Sequence, residues 1–271
     1  FLQYADNRAL REQIFKAYLE RCNHNDATDN KAIMSKIVAL RAEKAALLGY
    51  ENHAAYVLEE SMSKTPAKVS DFLNQLWTAT VPVTQQEASE LQTLMDKEGK
   101  NEKLESWDWR YYAEKLRKQK YDLDEEELRP YFPLEGVRQG IFTLCKKLYG
   151  LTFERRTDIP VYHEEAEAFE VKEANGQHVG VIYMDFHPRA NKRGGAWMTS
   201  YRKQETENSK RSAPVVSIVC NFSRPAGDAP ALLSLDETRT FFHEFGHALH
   251  GLLSNVTYGS LSGTSVPRDF V

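Results

Sequence analysis

With 271 residues, 41% of them hydrophobic and 27% charged, the chain can bury one large core or two smaller ones and is too apolar to be a disordered segment. Its net charge of −4 comes without any basic block, which argues against nucleic-acid binding, and no apolar run approaches the roughly 18 residues of a membrane span. Three widely spaced cysteines (Cys22, Cys145 and Cys220) read as reduced thiols rather than a disulfide framework, and favour a cytoplasmic setting. The opening stretch, FLQYADNRALREQ, has no initiator methionine and reads as a chain entered partway through, which leaves any upstream leader open.

Residues 1–150 are written in helical period. Leu10, Ile14, Tyr18 and Cys22 recur at spacings of four and predict a helix over about residues 6 to 22. Ile33, Ile37, Leu40 and Leu47, with the stem of Lys44, mark a second apolar stripe that Asp29 or Asn30 can cap and Gly49 can close. Thr65 and Pro66 fit the N-cap and first position of a third helix, and Pro82 should kink or end it. Ser106 is a candidate cap for the helix in LESWDWRYYAEKLRKQKY, whose tryptophans and tyrosines could line a cleft but more often read as core. A further helix, PLEGVRQGIFTLCKKLYG, closes at Gly150.

The pattern changes after Leu151. PVYHEEAEAFEVKEANGQHVGVIYMDFHPR alternates and carries Asn175-Gly176, a hairpin signal. GGAWMTSY and APVVSIVCNF read as two more strands, so strands are expected mainly over residues 160–222. The acidic runs HEEAEAFE and DLDEEELRP read as solvated faces or helix starts. A last helix follows over residues 235–254, with Ser234 and Glu237 in capping-box spacing and Asn255 as its end. The layout is mainly α (α+β): a helical region over residues 1–150, then residues 151–271 with a small sheet before one histidine-bearing helix.

That helix contains His243-Glu244-Phe245-Gly246-His247. Residues four apart lie one turn apart on the same helix face, so His243 and His247 can direct both imidazoles at one metal ion. Glu244 is turned about 100° from His243, within reach of a metal-bound water but not itself a ligand. Imidazoles suit Zn²⁺, the ion lowers the pKa of its water to about 7, and a carboxylate can take the proton as that water attacks a carbonyl. The bland alternative is a helix whose histidines are satisfied by water or backbone. The apolar neighbours Phe241, Phe242, Ala248, Leu249, Leu252 and Leu253 weigh against it, because unpaired polar groups in a buried helix are costly. His250 is rotated off the His243–His247 line and is not taken as a ligand. Gly246, costly inside a helix, suggests either a close approach to its backbone or packing against the sheet. YGSLSGTSVP is a loop, either mobile near the metal or an ordinary connection.

FFHEFGHALHGLL, with RANKRGGAWMTS and VVSIVCNFSRP before it and YGSLSGTSVPRDFV after it, resembles the thimet-oligopeptidase family of zinc metallopeptidases. The wording LSGTSVPRDFV is most similar to the family's peptidyl-dipeptidase branch, and YADNRALRE and ALLGYENHAAY extend the likeness towards the N-terminus. The resemblance implies a zincin-like, mainly helical two-lobed peptidase with one zinc ion, acting on short unstructured peptides. Carried over, His243 and His247 match the first two zinc ligands, Glu244 the general base, and Gly194-Gly195-Ala196 a strand that lies along the substrate. It also implies a third ligand one position past Val271 and flanking segments of a longer parent chain, so that residues 1–271 would hold zinc weakly if at all. Release of C-terminal dipeptides is the leading expectation. A broader endo-acting oligopeptidase is the alternative within the family, and a catalytically silent helical binding module is the alternative outside it.

Overall fold

The computed structural model describes residues 1–122, 125–225, 227, 229–267 and 269–270. The chain divides into two compact units, one of Phe1–Leu123 with Pro267–Val271, the other of Asp124–Val266. None of the described helices is long and apolar enough to cross a membrane.

The first unit is helical: α1 (Arg8–Leu19), α2 (Lys31–Leu47), α3 (His53–Leu58), α4 (Pro66–Lys97) and α5 (Trp109–Tyr121). α1 starts at Asn7, whose side chain accepts from the Leu10 amide, and stops at Glu20, short of Cys22. Its anchor is ionic. Arg8 and Arg11 each reach the fully buried Asp108 at 2.8 Å. Burial pushes the Asp108 carboxyl up, but these guanidinium hydrogen bonds outweigh it and hold the group below its usual range. The predicted stripe on α2 is not buried: Ile33, Ile37, Leu40 and Leu47 are exposed, and only Ala45 is enclosed. Thr65 caps α4 as expected, but the helix runs on through Pro82. Pro82 removes one backbone N–H and its ring crowds the carbonyl four residues back, a cost of about 3 kcal/mol that the rest of this 32-residue helix outweighs. Near this point, the Thr78 and Thr84 hydroxyls each donate to the carbonyl four residues earlier, Asn74 O and Thr80 O. α5 begins after Asp108, not Ser106, because Asp108 is held in place by the two arginines. Tyr111 and Tyr112 pack with Leu91 and Met95 into the unit's core.

The second unit builds the sheet. α6 (Glu125–Leu128) and α7 (Leu134–Tyr149) precede β1 (Thr152–Arg155), β2 (Glu167–Lys172), β3 (His178–Asp185), β4 (Trp197–Arg202), β5 (Glu205–Glu207), β6 (Lys210–Ser212), β7 (Val215–Val219) and α8 (Leu235–Leu252). Leu123 and Asp124 of the second acidic run lie outside the described residues. Gly150, at φ +72°, closes α7 in the left-handed region, as read from the sequence. Gly176, at φ +85°, turns β2 into β3. The main sheet has the order β1-β2-β3-β7-β4, with β3 and β7 parallel and the other pairs antiparallel. β5 and β6 form a separate hairpin. The acidic run on β2 is paired rather than merely solvated: Glu167 meets Arg138 and Arg155, and Glu170 meets Arg156 and His178.

α8 lies on this sheet. Ser234 and Glu237 form the capping box at its start, and it ends at Leu253 rather than Asn255. Thr238, Phe241, Glu244, Phe245, Ala248, Gly251 and Leu252 form its buried face, at helical period. The helix is therefore half-buried, not enclosed all round: Phe242 and His243 face out. Phe241, Phe245 and Leu252 join Ile182, Met184, Val216 and Ile218 in one core, each worth about 1.5–3 kcal/mol of burial.

Candidate active site

The sequence places His243, Glu244 and His247 on α8, and the fold gives each a distinct setting. Glu244 falls on the buried face and is 8% exposed. His243 and His247 sit beside that face, one exposed and one partly buried. Their Nε2 atoms converge to 3.1 Å, with ring centroids 4.7 Å apart at an interplanar angle of 89°. Two nitrogens bound to tetrahedral zinc at about 2.0–2.1 Å each stand about 3.3 Å apart. The 3.1 Å contact is a hydrogen bond between the two rings, close to that separation, and imidazole nitrogens are donors that suit zinc. Among the described residues, no group of three His, Cys, Asp or Glu side chains converges to hold a metal. The pair is two donors, one fewer than the three protein ligands that catalytic zinc sites use.

A cleft of 340 Å³ opens beside the helix, lined by Ala196, Trp197, Met198, Glu244, His247 and Thr264. Trp197 and Met198 open β4, and Ala196 immediately precedes it. β4 pairs with β7 and is the edge strand of the sheet, so its second side offers backbone N–H and C=O groups for an added strand. Gly194, Gly195 and Ala196 lie in the bend just before β4 rather than within it. Gly195 has φ +90°, which favours glycine, and its carbonyl accepts from Asn221 Nδ2 at 2.7 Å. The same amide donates to Arg193 O at 2.9 Å, so Asn221 fixes the approach to β4 from the end of β7. Nothing lies within 4 Å of a Cβ built on Gly194 or Gly195, so open space remains over both. Gly246 is equally clear within 4 Å, and neither a close approach nor sheet packing accounts for it among the described residues. His250 is exposed and plays no part in the imidazole pair.

Two buried groups at the ends of β3 and β7 were not legible in the sequence. Asp185 ends β3 at 1% exposure and accepts from Arg189 at 2.8 and 2.9 Å, from Lys192 at 2.7 Å and from Tyr162 at 3.0 Å. Burial pushes the Asp185 carboxyl up, but these donors prevail and bring it down to about 2. Lys192 also donates to the carbonyls of Asp185 and His187, so the ion pair ties down the loop that leads to Gly194. Cys220, at the end of β7, is fully buried. Desolvation, and then the neighbouring Glu244 carboxylate, push its thiol up to about 12. Trp197, Met198 and Thr264 are the lining residues not anticipated, Thr264 because nothing in a loop's local sequence reveals which helix it crosses.

The model for Peptidase family M3 matches residues 1–271. The chain is similar to dipeptidyl carboxypeptidase of Escherichia coli (strain K12), at 42% identity over 98% of this chain and 39% of the relative. It is also similar to oligopeptidase A of Salmonella typhimurium, at 40% identity over 100% of this chain and 41% of the relative. Saccharolysin of Saccharomyces cerevisiae shares 33% identity over 100% of this chain and 39% of its own length. The chain thus spans 39–41% of the length of these curated relatives.

Proposed function

The chain belongs to peptidase family M3, and on that premise we propose that α8 and β4 carry part of the active site of a zinc-dependent peptidase acting on short, unstructured peptides. The observation that carries this reading is the 3.1 Å approach of the His243 and His247 Nε2 atoms on the lip of a cleft that Glu244 also lines. These imidazoles would hold the ion. Zinc bound there supplies Lewis acidity, polarising a carbonyl and making water a usable nucleophile near neutral pH.

The chain's own residues do the rest. The outer edge of β4 can take a peptide as an added strand, which positions its backbone with little regard for side chains. The open backbone at Gly194 and Gly195 leaves room for that strand to enter. Glu244 accepts a proton from the attacking water and later passes it to the departing amine, a role suited to a carboxylate with little competing solvent. Release of C-terminal dipeptides is the leading activity, supported by the likeness to dipeptidyl carboxypeptidase. Endo-acting cleavage is the second reading, favoured by a nearly equal likeness to oligopeptidase A.

Product analysis on one peptide prepared with a free and with an amidated C-terminus separates the two. Dipeptide release from the free form alone supports the first, and equal internal cleavage of both supports the second. No cleavage of either by the zinc-loaded, full-length protein would refute the peptidase reading. With two converging imidazoles and no third donor among the described residues, residues 1–271 alone should bind zinc weakly and cleave nothing. A cytoplasmic location belongs to the same proposal, supported by three free cysteines.

A further inference from the structure

Three side chains lining the cleft can accept a hydrogen bond, Glu244, His247 and Thr264, and the peptidase reading uses the first two. The third, Thr264, arrives from a loop held to both walls. On the helix side, the Ser254 hydroxyl donates to His250 O at 2.8 Å and accepts from the Gly263 amide at 2.7 Å. Gly263 has φ +60°, and a Cβ there would lie 3.1 Å from the Gly251 Cα, so two glycines bring loop and helix backbones together. On the strand side, Lys203, which follows β4, donates to the Ser265 hydroxyl at 2.5 Å. Ser262 and Gly263 are buried while Thr264 is exposed. The frame is fixed, and Thr264 itself lines the cleft.

Of the other lining residues, Ala196 and Met198 have little hydrogen-bonding capacity and Trp197 offers only an indole N–H donor. We propose that Thr264 is a substrate-positioning residue whose hydroxyl hydrogen-bonds the backbone of the peptide lying against β4. This rests on the peptidase reading above. A hydroxyl both donates and accepts, so it can serve an amide or a carbonyl whatever the peptide's side chains. Its contribution is therefore to general peptide affinity and not to sequence preference.

The test uses the full-length, zinc-loaded protein with Thr264→Val, which keeps the shape, and Thr264→Ser, which keeps the hydroxyl. Three peptides of unrelated sequence serve as substrates, with zinc content and thermal unfolding measured alongside. Thr264→Val should raise KM about two- to tenfold by a similar factor on all three, the effect of one neutral hydrogen bond, with kcat nearly unchanged. Thr264→Ser should restore KM, and neither variant should lose zinc or stability. An unchanged KM in Thr264→Val, a loss that serine does not restore, or a loss confined to one peptide would overturn the proposal. A fall in stability or zinc content would also overturn it, by showing a structural role. Absence of cleavage by the unsubstituted protein refutes the parent reading as well, whereas these outcomes in an active protein refute the role of Thr264 alone.

Discussion

Two glycines on α8 make opposite predictions when replaced by alanine. A Cβ at Gly251 would sit 2.9 Å from Met198 Cε and 3.1 Å from Val216 Cγ1, while a Cβ at Gly246 meets nothing within 4 Å. Met198 can swing its terminal methyl aside. Val216 cannot, because it is β-branched and 0% exposed, so α8 must lift from the sheet by a few tenths of an ångström. Overpacking of this kind costs about 1–3 kcal/mol, and the gain in helix propensity offsets about 1 kcal/mol of it. Gly251→Ala should thus destabilise by about 0–2 kcal/mol, whereas Gly246→Ala keeps the whole gain and stabilises by about 1 kcal/mol. At about 2–4 °C per kcal/mol, the two variants should differ in Tm by several degrees, and hydrogen exchange should place the change in α8. Since Met198 also lines the cleft, Gly251→Ala should lower kcat/KM as well. Equal stability of the two variants, or a destabilised Gly246→Ala, would refute the packing argument.

His243→Ala or His247→Ala in the full-length protein should lose zinc and activity together, since each removes one of two converging imidazoles; retained stoichiometric zinc would contradict the pairing. Of the three thiols, the exposed Cys22 should react at once with an alkylating probe at pH 8, while the buried Cys145 and Cys220, raised to about 11 and 12, should react only on denaturation. Because the Cys220 pKa is raised in the fold, its stabilising contribution is complete below the unfolded value of about 8.5 and fades as pH rises from there towards 12. Asp185 has the opposite sign: held at about 2, below the unfolded carboxyl at about 3.9, it stabilises above that range and loses its contribution as pH falls through 2. Asp185→Asn leaves the Lys192 ammonium, on a side chain 3% exposed, with neutral acceptors only, so it should cost up to about 3–5 kcal/mol at pH 7 and flatten the acid limb of Tm against pH.

The parts of the fold that were legible in the sequence are those with local causes. Thr65, the Ser234–Glu237 box, Gly150 and Asn175-Gly176 fix the ends of elements through their own backbone chemistry, and each stands where its residue type predicts. The imidazole pair was legible for the same reason, since four residues make one turn. What escaped has causes distant in sequence. The parallel pairing of β3 with β7, the guanidinium clamp that starts α5 at Asp108, and the loop that carries Thr264 to α8 depend on partners across long stretches of chain. α2 escaped for another reason. Periodicity shows that a face is apolar, but not that anything among the described residues covers it, and Ile33, Ile37 and Leu40 remain exposed.

The central claim is that Glu244 transfers the proton while His243 and His247 hold the ion. It is tested most directly by measuring zinc content and kcat of the full-length Glu244→Gln protein side by side. The account predicts zinc bound as in the unsubstituted protein and kcat reduced by about a hundredfold to ten-thousandfold, the range of general acid–base catalysis. Near-normal kcat with stoichiometric zinc would contradict it and leave α8 a helix whose buried carboxylate has no part in the chemistry.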